Sequence, residues 1–88
     1  MKTIWRYKFS ITDEFTLDMP SGSRVLAAFL KANGEPSLWA EVDTNMLLET
    51  RKFAVVGTGN PMPQGLKKYI SSFESHGGQF VWHLYERR

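Results

Sequence analysis

One short loop carries the most chemically suggestive pattern in this sequence. Gly57-Thr58-Gly59-Asn60 places two glycines around a hydroxyl and beside a carboxamide. Small residues expose backbone N–H groups and let an anion such as phosphate approach closely, and the two polar side chains add donors. The Gly-Lys-Ser/Thr ending of a P-loop is absent, and no clear helix pattern follows. A structural turn is therefore the favoured interpretation, and a ligand-contacting loop is the alternative.

A phosphate-bearing ligand would also need cations for its charge and aromatic rings for a base. Arg51, Lys52, Arg6 and Trp39 are the available parts, and with Gly57, Thr58, Gly59 and Asn60 they form the predicted ligand-binding set. The net charge is only +2, and the acidic residues are interspersed among the basic ones. A nucleic-acid-binding protein usually shows a larger and more clustered excess, so nucleic acid is not an expected partner.

The sequence shows no pattern typical of a metal site or a catalytic site. His76 and His83 are the only histidines, whereas a metal site needs three or four ligands, so no metal and no other cofactor is expected. No nucleophile elbow appears, and no pair of carboxylates can be assigned to acid–base work. We therefore expect a protein that is not an enzyme, with His83 as a hydrogen-bonded structural side chain.

The closing stretch, residues 77 to 86, predicts a strand that is apolar on both faces. Because strand side chains alternate, Phe80, Trp82 and Leu84 share one face, and Val81, His83 and Tyr85 share the other. A small domain has one core and normally exposes the second face of a strand to water. This strand must therefore be central or meet a second chain. The second face is the predicted interface, and a homo-oligomer, by default a dimer, is expected.

Length and composition limit the fold. A chain of 88 residues makes a single domain, residues 1 to 88, and its 42% hydrophobic and 23% charged residues are typical of globular proteins. The absence of cysteine excludes disulfides and thiolate metal sites, and it is compatible with a reducing cytoplasm. No apolar run approaches the roughly 20 residues that span a bilayer, so no membrane association is expected.

Short alternating segments separated by turn signals predict an all-β or mainly β fold, a small antiparallel sandwich or partly open barrel of six to seven strands. Residues 24 to 32 are locally helical in character, but Asn33-Gly34 is also a hairpin signal, and we favour the strand. Residues 44 to 50 are expected to form a loop, with one helical turn at 46 to 48 as an option, and residues 65 to 68 a short turn. The other strands are predicted at 3–11, 15–19, 38–43, 51–56 and 69–74.

Several motifs in order resemble a family of small, functionally uncharacterised bacteriophage and prophage proteins. They are Lys2-Thr3-Ile4-Trp5-Arg6-Tyr7, Met19-Pro20-Ser21-Gly22, Leu38-Trp39-Ala40-Glu41-Val42-Asp43, Arg51-Lys52-Phe53, Val56-Gly57-Thr58-Gly59, Gly77-Gly78 and Val81-Trp82-His83-Leu84-Tyr85-Glu86. The resemblance implies a phage origin, the cytoplasm of an infected bacterium as the setting, and a β-rich fold. It supplies no catalytic residues.

Two functions from different classes follow. The first is a binding module of the counter-defence kind, which as a homo-oligomer would sequester a nucleotide signal of bacterial immunity. The second is a structural or protein-interaction role, in which a sheet edge or an aromatic patch docks on a host or phage protein.

Overall fold

The computed structural model describes all residues, 1 to 88, and its regular elements are seven β-strands. Their bounds are β1 Lys2–Lys8, β2 Glu14–Pro20, β3 Arg24–Leu30, β4 Pro36–Asp43, β5 Leu48–Gly57, β6 Leu66–Ser75 and β7 Phe80–Arg87. They form a three-stranded sheet, which we name sheet A, in the order β1-β4-β3, and a four-stranded sheet B in the order β2-β5-β7-β6. Every neighbouring pair is antiparallel, and the fold is a small all-β sandwich.

The core lies between the two sheets and follows the alternation of the strands. Each strand turns every second side chain inward, because successive residues of a strand point to opposite faces. Sheet A contributes Leu38, Ala40 and Val42 from its central strand, and sheet B contributes Phe53 and Leu84, all at most 1% exposed. The buried cluster also contains Phe9, Met19, Ala28, Val55 and Phe73.

The two sheets meet along one side of the sandwich, where β3 lies beside β6. The Ser71 hydroxyl donates a hydrogen bond to the Ala28 carbonyl oxygen at 3.0 Å, which joins the two strands across the corner. Since the strand orders place β1 and β2 at the far ends of their sheets, both of these strands have a free edge on the opposite side. The sandwich is therefore closed on one side and open on the other.

The closing strand is central, as one of the two sequence alternatives required. β7 lies between β5 and β6, with Leu84 turned into the core. Because β5 and β6 run parallel on either side of β7, residues 58 to 65 must return along its length to start β6. This crossover segment lies over the outward face of sheet B, where Ala54 and Val56 are only 0% and 6% exposed. Much of the apolar second face of the sheet is thus covered within the chain.

Most of the predicted strands are confirmed, including the one over residues 24 to 32. Asn33-Gly34 forms the turn between β3 and β4, with Gly34 at φ +83° and its N–H bonded to the Lys31 carbonyl at 2.7 Å. A glycine is required there because other residues rarely adopt a positive φ.

Three local expectations were wrong. The strand predicted over residues 3 to 11 ends at Lys8, so residues 9 to 11 belong to the connection to β2. Residues 48 to 50 continue β5 instead of forming a loop, and no helical turn forms at 46 to 48. Residues 66 to 68 already belong to β6. At 48 to 50 and at 66 to 68 the sequence alternates poorly, and pairing with a neighbouring strand extends the element beyond its local pattern.

Candidate functional site

The Gly57–Asn60 loop is a tight turn, and half of its amides are occupied. The Asn60 N–H bonds to the Gly57 carbonyl at 3.0 Å, and Gly59 has a φ of +92°, as a type II turn requires at its third residue. The Thr58 N–H bonds to the Val81 carbonyl at 3.1 Å. Since two of its four amides are used inside the protein, this loop offers an anion much less than the sequence pattern alone indicated.

The first glycine of this turn is held in a narrow space. A Cβ atom on Gly57 would lie 2.8 Å from the Asn60 Nδ2 and 3.1 Å from the Trp82 ring, which covers the glycine from the neighbouring strand. Substituting Gly57→Ala is expected to destabilise the fold by about 1–2 kcal/mol through overpacking. Urea denaturation checks this, and the same substitution in an Asn60→Ala background should recover part of the loss. An unchanged midpoint for Gly57→Ala would contradict the expectation.

The eight predicted ligand-binding residues do not converge on one place. Arg6 and Trp39 are cross-strand partners on the outward face of sheet A, where Trp39 stacks on Phe29 with ring centroids 4.4 Å apart. The Arg6 guanidinium bonds to the Glu35 carboxylate at 2.5 Å. The Gly57–Asn60 turn belongs to the other sheet. These residues therefore cannot contact one small ligand in a single chain.

Arg51 is engaged in hydrogen bonds within the protein. Its Nε and second terminal nitrogen donate to the two carboxylate oxygens of Glu86 at 2.6 and 2.8 Å, and its first terminal nitrogen donates to the Ser23 carbonyl at 2.6 Å. Hydrogen bonding to Arg51 lowers the pKa of Glu86 below its ordinary value, and the same bond raises the pKa of Arg51. The hydroxyl of Tyr7 is buried without a partner, and burial raises its pKa although the charge of Arg51 opposes the rise.

His83 lies at the centre of a chain of hydrogen bonds on the outward face of sheet B. Its Nε2 is 2.8 Å from the Thr58 hydroxyl, and its Nδ1 is 2.7 Å from the Ser72 hydroxyl, which in turn lies 2.7 Å from the Tyr69 hydroxyl. Hydroxyls thus occupy both ring nitrogens, and a carboxylate that would orient the imidazole for nucleophilic catalysis is not among these partners. The arrangement fits the structural role expected for His83.

A shallow cleft of about 280 Å³ adjoins this histidine, between the crossover segment and β7. Tyr85, on the same outward face, contacts Tyr69 edge to face with ring centroids 5.4 Å apart. The predicted interface residues Val81, His83 and Tyr85 are accordingly all half-buried in the single chain. Their role as an interface stays a prediction, and the uncovered area that they offer is smaller than the sequence pattern indicated.

The structure brings together three basic pairs that are far apart in the sequence. Lys52 lies opposite Arg87 across β5 and β7, and Leu66, the residue before Lys67, lies opposite Arg87 on the other side. Arg51, Lys52, Lys67, Lys68, Arg87 and Arg88 thereby gather at one end of sheet B, which we name the basic end. A cleft of about 460 Å³ lies there, lined by five of these six residues and by no apolar side chain.

The charge of the protein is concentrated at this end. Its six basic residues are accompanied by four acidic ones, since Glu14, Glu49 and Glu86 line the clefts and Asp18 accepts a hydrogen bond from Thr50 of the lining. The rest of the chain has five basic and five acidic residues. Arg51 is neutralised by Glu86, and Arg87 forms an ion pair with Glu14. Lys52, Lys67, Lys68 and Arg88 take part in none of the ion pairs of the chain. The electrostatic potential in the cleft is therefore positive, and its lysine and arginine side chains include hydrogen-bond donors that are not engaged in ion pairs.

A second cleft of about 430 Å³ adjoins the first and shares Lys52, Arg87 and Arg88 with it. Phe15 and Phe53 also line this second cleft, but the ring of Phe15 lies in the core, where it stacks on Phe9 and on Phe53. The second cleft therefore extends the basic surface and offers space for the uncharged part of a ligand. By contrast, the structure places no three histidine, cysteine or acidic side chains close enough together to hold a metal ion.

A family model described as a domain of unknown function, DUF7352, matches residues 1 to 88. The chain belongs to this family. No curated protein and no solved structure matches it significantly. The structure of this DUF7352 domain contains no helix that is long and apolar enough to cross a membrane.

Sequence reasoning missed most of the basic end of this DUF7352 domain. It singled out Arg51 and Lys52 and assigned no role to Lys67-Lys68 or to Arg87-Arg88. The available signal was the repetition of the basic pair itself, once near the start of β5, once near the start of β6 and once at the end of β7. In an antiparallel order β5-β7-β6 these three positions fall at the same end of the sheet.

Proposed function

We propose that this domain is a non-catalytic binding module that holds a phosphate-bearing small molecule at the basic end. The observation that carries the proposal is the convergence of three basic pairs on one cleft without apolar lining. Such a cleft attracts an anion, and charge-assisted hydrogen bonds from lysine and arginine are among the stronger polar contacts that proteins make. Lys52, Lys67 and Arg88 supply the donors that no carboxylate of the chain occupies.

Arg51 has an indirect part in this proposal. Its guanidinium is fixed between Glu86 and the Ser23 carbonyl, so it shapes the wall of the cleft and does not turn toward a ligand. The predicted loop Gly57–Asn60 lies at the other end of β5 and takes no part. Of the predicted ligand-binding residues, Lys52 is the one that the proposal keeps as a direct contact.

A nucleotide is the class of ligand that would occupy both adjoining clefts. Its phosphates would lie among Lys52, Lys67 and Arg88, and its base would extend into the second cleft beside Lys52 and Arg87. In this proposal the domain is a homo-oligomeric phage protein that sequesters a nucleotide signal of bacterial immunity in the host cytoplasm. The resemblance to small phage and prophage proteins supports this role.

Calorimetric titration tests this function. We expect heat of binding with cyclic or linear nucleotides, weaker binding of inorganic pyrophosphate, and affinity that falls as the salt concentration rises. Lys52→Ala and Lys67→Ala are each expected to weaken nucleotide binding by about tenfold, as the loss of one charge-assisted hydrogen bond does. Both side chains are exposed, so neither substitution should alter folding.

Lys31→Ala is the matched control, because it removes one positive charge from the turn after β3, away from the basic end. It should leave nucleotide affinity unchanged. Affinity that is lost with Lys31→Ala but kept with Lys52→Ala and Lys67→Ala would move the site away from the basic end. No heat with any nucleotide or with pyrophosphate would overturn the proposed function.

A second candidate function, docking of a protein partner, is favoured by one observation. On the outward face of sheet A, Phe29 stacks on Trp39, and Phe29 and Ile4 are 48% and 57% exposed. Exposed aromatic anchors of this kind are typical of protein contacts. Recovery of a stoichiometric protein partner that is lost with Phe29→Ser, together with the absence of nucleotide binding, would favour this function over the first.

A further inference from the structure

The two free edges of the sandwich carry opposite charge. On β1, the Phe9 N–H bonds to the Pro36 carbonyl and the Thr44 N–H bonds to the Met1 carbonyl, so the odd-numbered residues bond to β4. In an antiparallel ladder bonded and non-bonded pairs alternate, and the even-numbered residues therefore turn their N–H and C=O groups to the free edge. These residues are Lys2, Ile4, Arg6 and Lys8, which give a basic edge.

Strand β2 shows the same alternation. The Val55 N–H bonds to the Asp13 carbonyl, and the Ser21 N–H bonds to the Leu47 carbonyl, so odd-numbered residues again face the neighbouring strand. The free edge belongs to Glu14, Thr16, Asp18 and Pro20 and is acidic. Pro20 fits this assignment, because a residue without an N–H is tolerated where no ladder bond is made.

We propose that two copies of this chain pair edge to edge, β1 of each against β2 of the other. Pairing like with like would place Lys2, Arg6 and Lys8 against one another, or Glu14 against Asp18, and like charges directly opposite destabilise a sheet. Pairing unlike edges in antiparallel register brings Lys2 opposite Asp18, Ile4 opposite Thr16 and Arg6 opposite Glu14. Lys2 and Asp18 form no ion pair within their own chain, so this contact satisfies both charges, whereas Arg6 and Glu14 already pair with Glu35 and Arg87 and would add to those pairs.

The placement of the two edges allows this contact to close on itself. β1 and β2 both lie on the open side of the sandwich, one in each sheet. Because only five residues connect the end of β1 to the start of β2, the chain reverses and the two strands run in opposite directions. A two-fold axis parallel to the strands then places β1 of each copy beside β2 of its partner at the same time. Each three-stranded sheet continues into the partner's four-stranded sheet, and both pairs of free edges disappear.

Charge reversal and mixing test this dimer. By sedimentation or light scattering the native protein is expected to have twice the mass of one chain. The double variants Lys2→Glu with Arg6→Glu, and Glu14→Lys with Asp18→Lys, are each expected to have the mass of one chain. An equal mixture of the two variants should recover the doubled mass. In the mixed dimer the reversed β1 meets the reversed β2 at one contact, and the native β1 meets the native β2 at the other, so the charges are complementary at both.

Two further variants separate edge pairing from general effects. Arg24→Glu with Lys31→Glu changes the net charge as much as the β1 reversal does, away from both edges, and should leave the dimer intact. Ile4→Pro removes an N–H that faces the free edge and none that bonds to β4, so it should keep the fold, checked by circular dichroism, and give the mass of one chain.

Several outcomes would overturn the pairing. They are a native protein with the mass of one chain at every soluble concentration, a dimer that survives both reversals, reversed variants that stay single when mixed, and dissociation by the Arg24 and Lys31 control. A dimer that survives both reversals but dissociates with Tyr85→Glu would place the interface on the outward face of β7 instead. None of these measurements depends on a nucleotide, so they stand apart from the test of the proposed function.

Discussion

Replacing Glu86 with alanine is expected to destabilise the domain by about 3 kcal/mol. Only 10% of the Glu86 side chain and 15% of the Arg51 side chain are exposed, and the substitution leaves the largely buried arginine charge in the wall of the cleft without its partner. For a domain of this size such a loss is a large part of the total stability. The free energy of unfolding, measured in urea at neutral pH, checks this expectation.

The control for this substitution replaces both partners. Arg51→Met with Glu86→Leu removes the ion pair and fills its volume with apolar atoms, and it should cost much less than Glu86→Ala alone. A double variant as unstable as the single one would show that the lost packing, and not the uncompensated charge, dominates the effect.

The same ion pair gives stability a defined dependence on pH. Because the pKa of Glu86 is lowered in the folded state, its contribution is complete above the ordinary pKa of a glutamate. That contribution is lost as the pH falls through the lowered, folded-state pKa. Glu35 and Asp43 also have lowered pKa values, through hydrogen bonds from Arg6 and from the Asn45 N–H, so the native protein loses further stability in acid. The measurable quantity is therefore the difference between native protein and Glu86→Gln, which should shrink in acid.

The second large effect is expected at Phe53. Its ring is fully buried on β5 and stacks on Phe15 with centroids 5.2 Å apart. Substituting Phe53→Ala removes this contact and leaves a cavity in the core, at a cost of about 3–5 kcal/mol. In a marginally stable domain of this size, a substantial unfolded fraction at room temperature is the expected result, visible as lost near-ultraviolet circular dichroism and a lowered denaturation midpoint.

Leu47→Ala serves as the comparison for Phe53→Ala, because Leu47 is 86% exposed. It should change stability by no more than about 0.5 kcal/mol. Equal losses for the two variants would contradict the placement of Phe53 in the core.

Much of the fold could be predicted from local pattern. The alternation of Trp5 and Tyr7 against Arg6 and Lys8 identified β1, and the apolar residues on both faces of the closing stretch identified β7 as central or interfacial. These predictions succeeded because side-chain alternation is a local consequence of strand geometry, and burial on one face selects apolar residues at every second position. At residues 48 to 50 and 66 to 68 the pattern was too weak, and pairing with neighbouring strands decided the structure.

By itself, therefore, the sequence determined the fold class, the number and approximate positions of the strands, and the small polar turn at Gly57–Asn60. Only the tertiary structure decided which charges act together. In the folded chain Arg6 and Trp39 lie on the other sheet from that turn, and Arg51 forms an ion pair with Glu86. Lys52, Lys67 and Arg88 lie together at one end of sheet B. The physical reason is that strand order brings together residues far apart along the chain, and no local periodicity encodes that order.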